Sequence, residues 1–247
     1  MSTLISSPTV STDRYFVRMA ENQLDLHTVQ RLRFEVFNLE LDEGLASSKQ
    51  TGLDRDEYDE VCTHLLVIER ATSNVVGTYR MQTGAQASQA LGYYSEQEFD
   101  FAPFASVRGQ VLELGRACIA AAHRNQTVLA LLWKSIISHS RRHGLRYLIG
   151  CSSLSSQDEA AALVTYEGLK NNHLADERWR TFPREFCRCR PGPAEPLAVP
   201  RLMAAYLSAG CKICGEPAID REFGTIDFLT LQDLENTPPR FARKYLA

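Results

Sequence analysis

Two short stretches carry residue types that could do chemistry. In Glu113-Leu114-Gly115-Arg116 a carboxylate and a guanidinium sit three residues apart at the end of a β-rich run. Such a carboxylate is a candidate general base; the plain structural alternative is an ion pair with Arg116. In His123-Arg124-Asn125-Gln126-Thr127 the chain reaches what should be a helix start, where unpaired N–H groups would face an anion. A base beside a phosphate-type site is the pairing that the surrounding elements must position.

Those elements are legible as one βαβ unit, Val111 to Ser153. A strand-like run leads into a helix from about Thr127 to His143, with Val128, Leu131, Leu132, Ile136 and His139 on neighbouring turns. Gly144 is placed to stop the helix, Arg141 and Arg142 suit its C-terminal dipole, and Arg146 to Ser152 reads as the second strand.

Upstream, residues 1–13 are rich in Ser and Thr and are expected to be loosely attached. Tyr15 to Met19 reads as a strand. Asp25 to Leu41 has helical apolar spacing, and periodicity alone makes Arg33, one turn before Phe37, a solvated helix charge. Between Asp54 and Glu60 lie five acidic residues, either an exposed acidic turn or a carboxylate cluster for a cation. The alternating ligands and central glycine of a calcium loop are absent. Thr63–Glu69 and Val75–Met81 form a predicted hairpin around Thr72-Ser73-Asn74, with Arg80 at its end as an edge charge or an anion clamp. Residues 83–110, with Phe99, Phe101 and Phe104, suggest a short helix and a loop over an apolar site.

Downstream, residues 156–174 have helical spacing. Arg178, Arg180, Arg184, Arg188 and Arg190 follow, with Trp179 and Phe182 among them, and fit a local docking patch. Arg201 to Ala209 is a predicted short helix, and Gly224 to Leu229 a final strand. The tail from Pro238 mixes basic and apolar residues, suited to an anionic membrane surface or to simple fraying.

The composition sets the bounds. The chain has 247 residues, 44% hydrophobic and 23% charged, which suits one large or two small globular domains. A net charge of −3 argues against a dedicated nucleic-acid binder. No apolar run approaches the roughly 18 residues of a membrane span, and no secretory signal is apparent. The expectation is a cytoplasmic protein, with peripheral contact at the inner face of the membrane left open. The seven cysteines are best read as reduced structural thiols. Cys187-Arg-Cys189 and Cys211-Lys-Ile-Cys214 match zinc-ligand spacing only, without knuckle glycines, so no metal is expected.

Several motifs occur together in order. They are Leu32-Arg33-Phe34-Glu35-Val36-Phe37, Asp56-Glu57-Tyr58-Asp59, Thr63-His64-Leu65-Leu66-Val67, Val76-Gly77-Thr78-Tyr79-Arg80 and Glu113-Leu114-Gly115-Arg116. This succession resembles the autoinducer-synthase branch of the GNAT acyltransferase superfamily. Gly150-Cys151-Ser152-Ser153, Tyr206 to Gly210, and Gly215 to Asp220 with Phe223 and Asp227 bring it closer to the bacterial L-ornithine Nα-acyltransferases. The resemblance covers about residues 14 to 235. It implies an α/β, GNAT-like fold, a mixed bent sheet flanked by helices. The expected organisation is a flexible segment 1–13, one domain 14–235 and a basic, apolar tail 236–247. The implied reaction moves a 3-hydroxyacyl chain from acyl carrier protein to the α-amino group of ornithine, giving lyso-ornithine lipid.

The residues implied by the resemblance are Glu113 and Arg116 for catalysis, and Arg33, Phe37, Asp56, Asp59 and Arg80 for the amino-acid substrate. Asp220 and Asp227 are further candidates for holding a substrate cation. Arg124, Thr127, Ser152 and Ser153 would meet the acyl donor, and Arg180, Arg184 and Arg188 the carrier protein. No bound cofactor is implied, only the carrier's phosphopantetheine. The chain departs from autoinducer synthases in lacking a Trp after Phe37, reading Asn38-Leu39-Glu40-Leu41, and in its long C-terminal region. The pyrophosphate loop is reduced to Arg124-Asn125-Gln126-Thr127-Val128-Leu129, without the glycines that cradle a diphosphate, which favours carrier protein over coenzyme A. The alternatives are another amino acid (glutamine, lysine or glycine), acyl-homoserine lactone synthesis from S-adenosylmethionine, and a non-catalytic module that binds carrier protein or membrane.

Overall fold

The computed structural model describes residues 10–246; residues 1–9 and 247, and with them most of the segment expected to be loosely attached, lie outside the described residues. Its strands are β1 (Tyr15–Met19), β2 (Thr63–Glu69), β3 (Val75–Thr83), β4 (Val111–Ile119), β5 (Tyr147–Leu154), β6 (Lys212–Ile213), β7 (Ala218–Asp220) and β8 (Thr225–Asp233). They form one mixed sheet in the order β1-β2-β3-β4-β5-β8-β6, with β7 also on β8. The β4–β5 pair is parallel and the other pairs are antiparallel. A parallel neighbour needs a crossover, and α4 (Gln126–Arg142) supplies it.

The helices before it are α1 (Gln23–Phe34), α2 (Ser48–Thr51) and α3 (Gly84–Gln89); after it come α5 (Glu159–His173), α6 (Arg201–Ser208) and α7 (Pro239–Phe241). Side chains alternate across each strand, so the sheet has two distinct faces. Leu65, Val67, Tyr79, Met81, Leu112 and Leu148 meet α4 on one face. On the other, Leu66 and Ile68 meet α1, while Val111, Tyr147, Ile149, Leu229 and Leu231 meet Tyr93, Phe99 and Trp179. The aromatic stretch before β4 is therefore core, as its phenylalanines suggest. The tail docks instead of fraying: Phe241 is buried edge-on to Trp133 of α4, with ring centroids 5.6 Å apart, and Tyr245 joins them.

Two irregularities open the sheet at its centre. Between the Thr78–Cys118 and Arg80–Gly115 partners, β3 has Tyr79 alone whereas β4 has both Arg116 and Ala117, a bulge. Arg116 takes φ +47° there. Pairing of β4 with β5 stops at Glu113–Ile149. The next residue, Gly150, passes so close to β4 that a Cβ would lie 2.1 Å from the Leu114 carbonyl oxygen. Beyond that contact the two strands part, and a cleft runs between them.

Candidate active site

A cavity of about 300 Å³ occupies the parting of β4 and β5, and its lining comes from both faces of the sheet. Toward α4 it is mostly apolar, with Leu114, Trp133, Leu148, Leu202 and Met203, and with Tyr79 and Tyr206 hydrogen-bonded to each other. On the opposite face it is polar, with Arg80, Gln82, Glu113, Cys151, Asp220 and Asp227.

Glu113 is 5% exposed and still lines this cavity. Its Oε1 accepts from the Ser95 N–H at 2.8 Å and the Ser95 hydroxyl at 2.7 Å; its Oε2 accepts from the Tyr94 N–H at 2.8 Å. Each carboxylate oxygen can take about two donors. Oε2 is therefore left with acceptor capacity. Burial pushes the Glu113 carboxyl above the usual carboxylate range, while the Ser95 and Tyr94 donors pull the other way. The ion pair with Arg116 weighed as the structural alternative does not form, because Arg116 donates to Asp56 Oδ2 at 2.9 Å.

Arg33 is not a solvated charge. It is fully buried, and its Nε donates to Asp54 Oδ1 at 2.8 Å while Nη1 and Nη2 grip Asp59 at 3.0 and 2.6 Å. Arg80 reaches Asp56 and also Asp59, at 3.0 Å for the latter. Arg33, Arg80 and Arg116 thus interlock with Asp54, Asp56 and Asp59. Burial opposes the charge on Asp56 and Asp59, but the guanidiniums outweigh it and hold both carboxyls below their ordinary range. The aspartates of the acidic run are therefore neither an exposed turn nor an open cation cluster, while Glu57 and Glu60 stay exposed. Asp56 also caps the short turn Glu57–Glu60 through the Tyr58 N–H. Of the residues expected to bind the amino acid, Arg80 and Phe37 border the cavity, whereas Arg33, Asp56 and Asp59 stand behind it. Phe37 lies in a π-helical turn, Glu35–Glu40, that continues α1, edge-on to Phe223 at 5.4 Å.

The expected donor residues divide. Ser152 and Ser153 border the cavity; Ser152 Oγ is 3.1 Å from Thr230 Oγ1, and Ser153 faces Asp227 across the β5–β8 pairing. Arg124 does not border it. Arg124 donates to the Ile119 carbonyl at 2.9 Å and forms a forked ion pair with Glu40, whose carboxyl it holds low. The α4 N-terminus is filled by its own cap, since Asn125 Oδ1 accepts from the Thr127 and Val128 N–H groups, each at 3.0 Å. Arg180, Arg184 and Arg188 are exposed along a segment that also exposes Phe182 and Phe186. Arg184 anchors this segment to the carbonyl of Glu96, beside the Tyr94–Ser95 pair that holds Glu113.

The cysteine pairs do not converge as a ligand set among the described residues. The one grouping of that kind is Glu98, Cys151 and Asp227, whose ligand atoms lie within 4.8 Å of one another. Tyr94, Ser95, Glu98, Gln82 and Asp54 are site residues that the sequence reading did not single out. Glu98 had one available sign, a carboxylate set directly before the Phe99, Phe101 and Phe104 cluster.

Comparison with known proteins agrees with this architecture. Residues 32–134 match the acetyltransferase (GNAT) domain family. The fold resembles the acyl-homoserine-lactone synthase LasI, with a TM-score of 0.53 and 11% identity over 94% of each chain. FeeM, an N-acyl amino acid synthase from uncultured soil microbes, gives the same TM-score, identity and coverage. Among curated proteins, an L-ornithine N(alpha)-acyltransferase of Brucella abortus is 31% identical over 93% of this chain and 88% of its own. A protein of the same name from Rhodobacter capsulatus is 30% identical over 90% of both. With a splayed GNAT sheet, a buried carboxylate at the splay and these relatives along nearly its whole length, the chain belongs to the L-ornithine N(alpha)-acyltransferase family.

Proposed function

We propose that this acyltransferase moves a 3-hydroxyacyl chain from the phosphopantetheine of acyl carrier protein to the α-amino group of L-ornithine, yielding lyso-ornithine lipid. The observation that carries the reading is Glu113: a buried carboxylate with a free acceptor site on Oε2, set where the sheet parts into a cleft with one apolar branch. The α-ammonium gives a proton to Glu113, directly or through one water, and the free amine attacks the thioester carbonyl carbon. The C–S bond of the resulting tetrahedral oxyanion then breaks as the attacking nitrogen sheds its second proton, and the leaving thiolate takes up that proton, directly or through water. The β4 backbone from Leu114 to Ala117 borders the cavity at the bulge and is the natural place for the oxyanion. Arg116 borders the cavity while its Nε lies 3.4 Å from Asp54 Oδ1, and it is the guanidinium assigned here to the substrate carboxylate. Arg33, Asp56, Asp59 and Arg80 act by fixing Arg116 and the cavity wall, and Phe37 with Phe223 forms the apolar rim.

Carrier protein is favoured over coenzyme A by the filled helix N-terminus. Asn125 occupies N–H groups that a diphosphate would need, so a donor with one phosphate, met by Arg124 once Glu40 yields, suits the site better. Arg180, Arg184 and Arg188 are the docking patch for the acidic carrier. No helix among the described residues is long and apolar enough to cross a membrane. Exposed Arg240, Arg243 and Lys244 on the docked tail give a peripheral contact with anionic lipid a place to occur. The decisive assay is acyl transfer from 3-hydroxyacyl carrier protein to ornithine by Glu113→Gln. A fall in kcat of about 10²- to 10⁴-fold with unchanged thermal stability is expected; near-normal turnover would remove Glu113 as the base. Mass spectrometry of lipids formed from an amino-acid panel checks the acceptor.

A further inference from the structure

Glu98 and Asp227 are 5% and 3% exposed, and neither has an ion-pair partner among the described residues. The three guanidiniums nearby are committed to Asp54, Asp56 and Asp59. Hydrogen bonding to the pair is thin. Glu98 is approached by the Cys151 thiol at 3.8 Å, and Asp227 Oδ1 accepts from the Thr225 hydroxyl at 3.2 Å. Asp220 stands nearby but is occupied by the Tyr94 hydroxyl and the N–H groups of Glu222 and Phe223. Two carboxylates left this way keep their protons to higher pH than they would in open water. Burial raises Glu98 well above its usual range, with Asp227 adding to it, and raises Asp227 to about 6.

Asp227 borders the cavity, and Glu98 stands just behind the lining, within 4.8 Å of Cys151 and Asp227; a second, independent feature points into the same cavity. Gln82 is 1% exposed, borders the cavity and stands opposite Glu113 in the β3–β4 pairing; neither atom of its side-chain amide has a partner. A buried primary amide with both ends vacant costs stability unless a ligand completes it. Ser95 Oγ links the two regions, donating to Glu113 at 2.7 Å and lying 3.4 Å from the Cys151 thiol that reaches Glu98.

We infer that the Glu98–Asp227 pair is the receptor for the side-chain ammonium of a diamino-acid acceptor, with the Gln82 amide holding the acceptor's polar backbone end beside Glu113. This rests on the ornithine reading above and adds to it the groups that select a second ammonium. An ammonium between the two carboxylates offers three donors and brings the counter-charge that burial and their mutual repulsion call for. An acceptor with the same chain but no terminal nitrogen would leave the pair buried and unmatched, and sites of that type reject such analogues strongly.

The test compares ornithine with norvaline, its counterpart without the terminal amine, using 3-hydroxyacyl carrier protein as donor. Wild type should favour ornithine in kcat/KM by at least about 100-fold. Asp227→Asn and Glu98→Gln should each lower kcat/KM for ornithine by roughly tenfold or more and shrink the ornithine-to-norvaline ratio. Ornithine should also raise the melting temperature of wild type and not of either variant, a readout that needs no turnover. A wild type that acylates both acceptors equally overturns the inference without any variant, and so do folded variants that keep the wild-type ratio. Zinc binding that is lost in Asp227→Asn while ornithine selectivity persists would assign the pair to a metal and overturn it too. A wild type that acylates no diamino acid removes the acceptor itself, and this inference with it.

Discussion

Two groups of buried charges lie on either side of Tyr94. Its ring packs against Arg80 and Arg116, with guanidinium carbons 5.4 and 4.9 Å from the centroid, and its hydroxyl donates to Asp220. Behind it, three arginines and three aspartates interlock with several contacts each. In front of it, Glu98, Glu113 and Asp227 have backbone, hydroxyl or thiol partners and no ion-pair partner among the described residues. Both groups are largely dry, with Asp56 and Arg116 of the lattice the more exposed members, so burial does not distinguish structure from function here. Pairing does. A matched lattice sets the shape of the wall; an unmatched pair leaves a valence for something that arrives.

The contrast can be broken from the matched side first. Arg33→Ala leaves Asp59 with Arg80 alone and Asp54 with only the longer Arg116 contact in the interior, and should cost about 3–5 kcal/mol in urea denaturation. A loss under about 1 kcal/mol would mean that the lattice is not structural. Gly150→Ala comes next: its Cβ must push the Leu114 carbonyl away, costing about 1–3 kcal/mol and shifting the mouth of the cleft. Acyl transfer should fall with the melting temperature, and an active, fully stable Ala variant would show that the strands part without this contact.

A smaller effect belongs to the unmatched side. Asp227 binds its proton more tightly folded than unfolded, so its contribution to stability is full below about pH 4 and is lost as pH rises through about 6. Ligand-free protein should therefore weaken over that window by roughly 1–3 kcal/mol, an amount shared with Glu98 because the two titrate together. Asp227→Asn should flatten the profile, and ornithine binding should strengthen across the same window. A flat wild-type profile would place the pair among the matched charges. The smallest effect is at the surface. Charge reversal at Arg184 and Arg188 should raise the KM for carrier protein by up to about tenfold, more at low salt than at high. If Arg124→Glu does this and the pair does not, docking lies at the start of α4 instead.

Much of the fold was legible before any coordinates. The βαβ unit, the β2–β3 hairpin and the α4 stop at Gly144, observed at φ +65°, follow from periodicity and turn chemistry. Glu113 was legible as a chemically placed carboxylate. Arg33 was misread because helical spacing describes faces and not partners, and its partners lie 21 and 26 residues away. The tail was read as fraying or membrane-bound because nothing near Phe241 in sequence shows that Trp133 waits for it. Glu98 was passed over for a similar reason: its meaning comes from Asp227, brought beside it only when β8 pairs with β5. Long-range pairing of charges is what a single sequence hides.

The parting of β4 and β5 also bears on the order of events. The slot opens onto both faces of the sheet, so an acyl arm and a polar amino acid can each settle without passing through the other's space. The two thiols that border the cavity, Cys62 and Cys151, are both kept protonated by burial, Cys151 with the help of Glu98, which makes them poor way-stations for the acyl group. On the proposed reaction, transfer would then take place in one encounter with both substrates seated. Initial-rate lines should intersect rather than run parallel, and no acylated enzyme should accumulate when ornithine is withheld. For the proposed reaction the sheet would work as a partition with a slit, across which a fatty chain and a water-loving amino acid become one amphiphile.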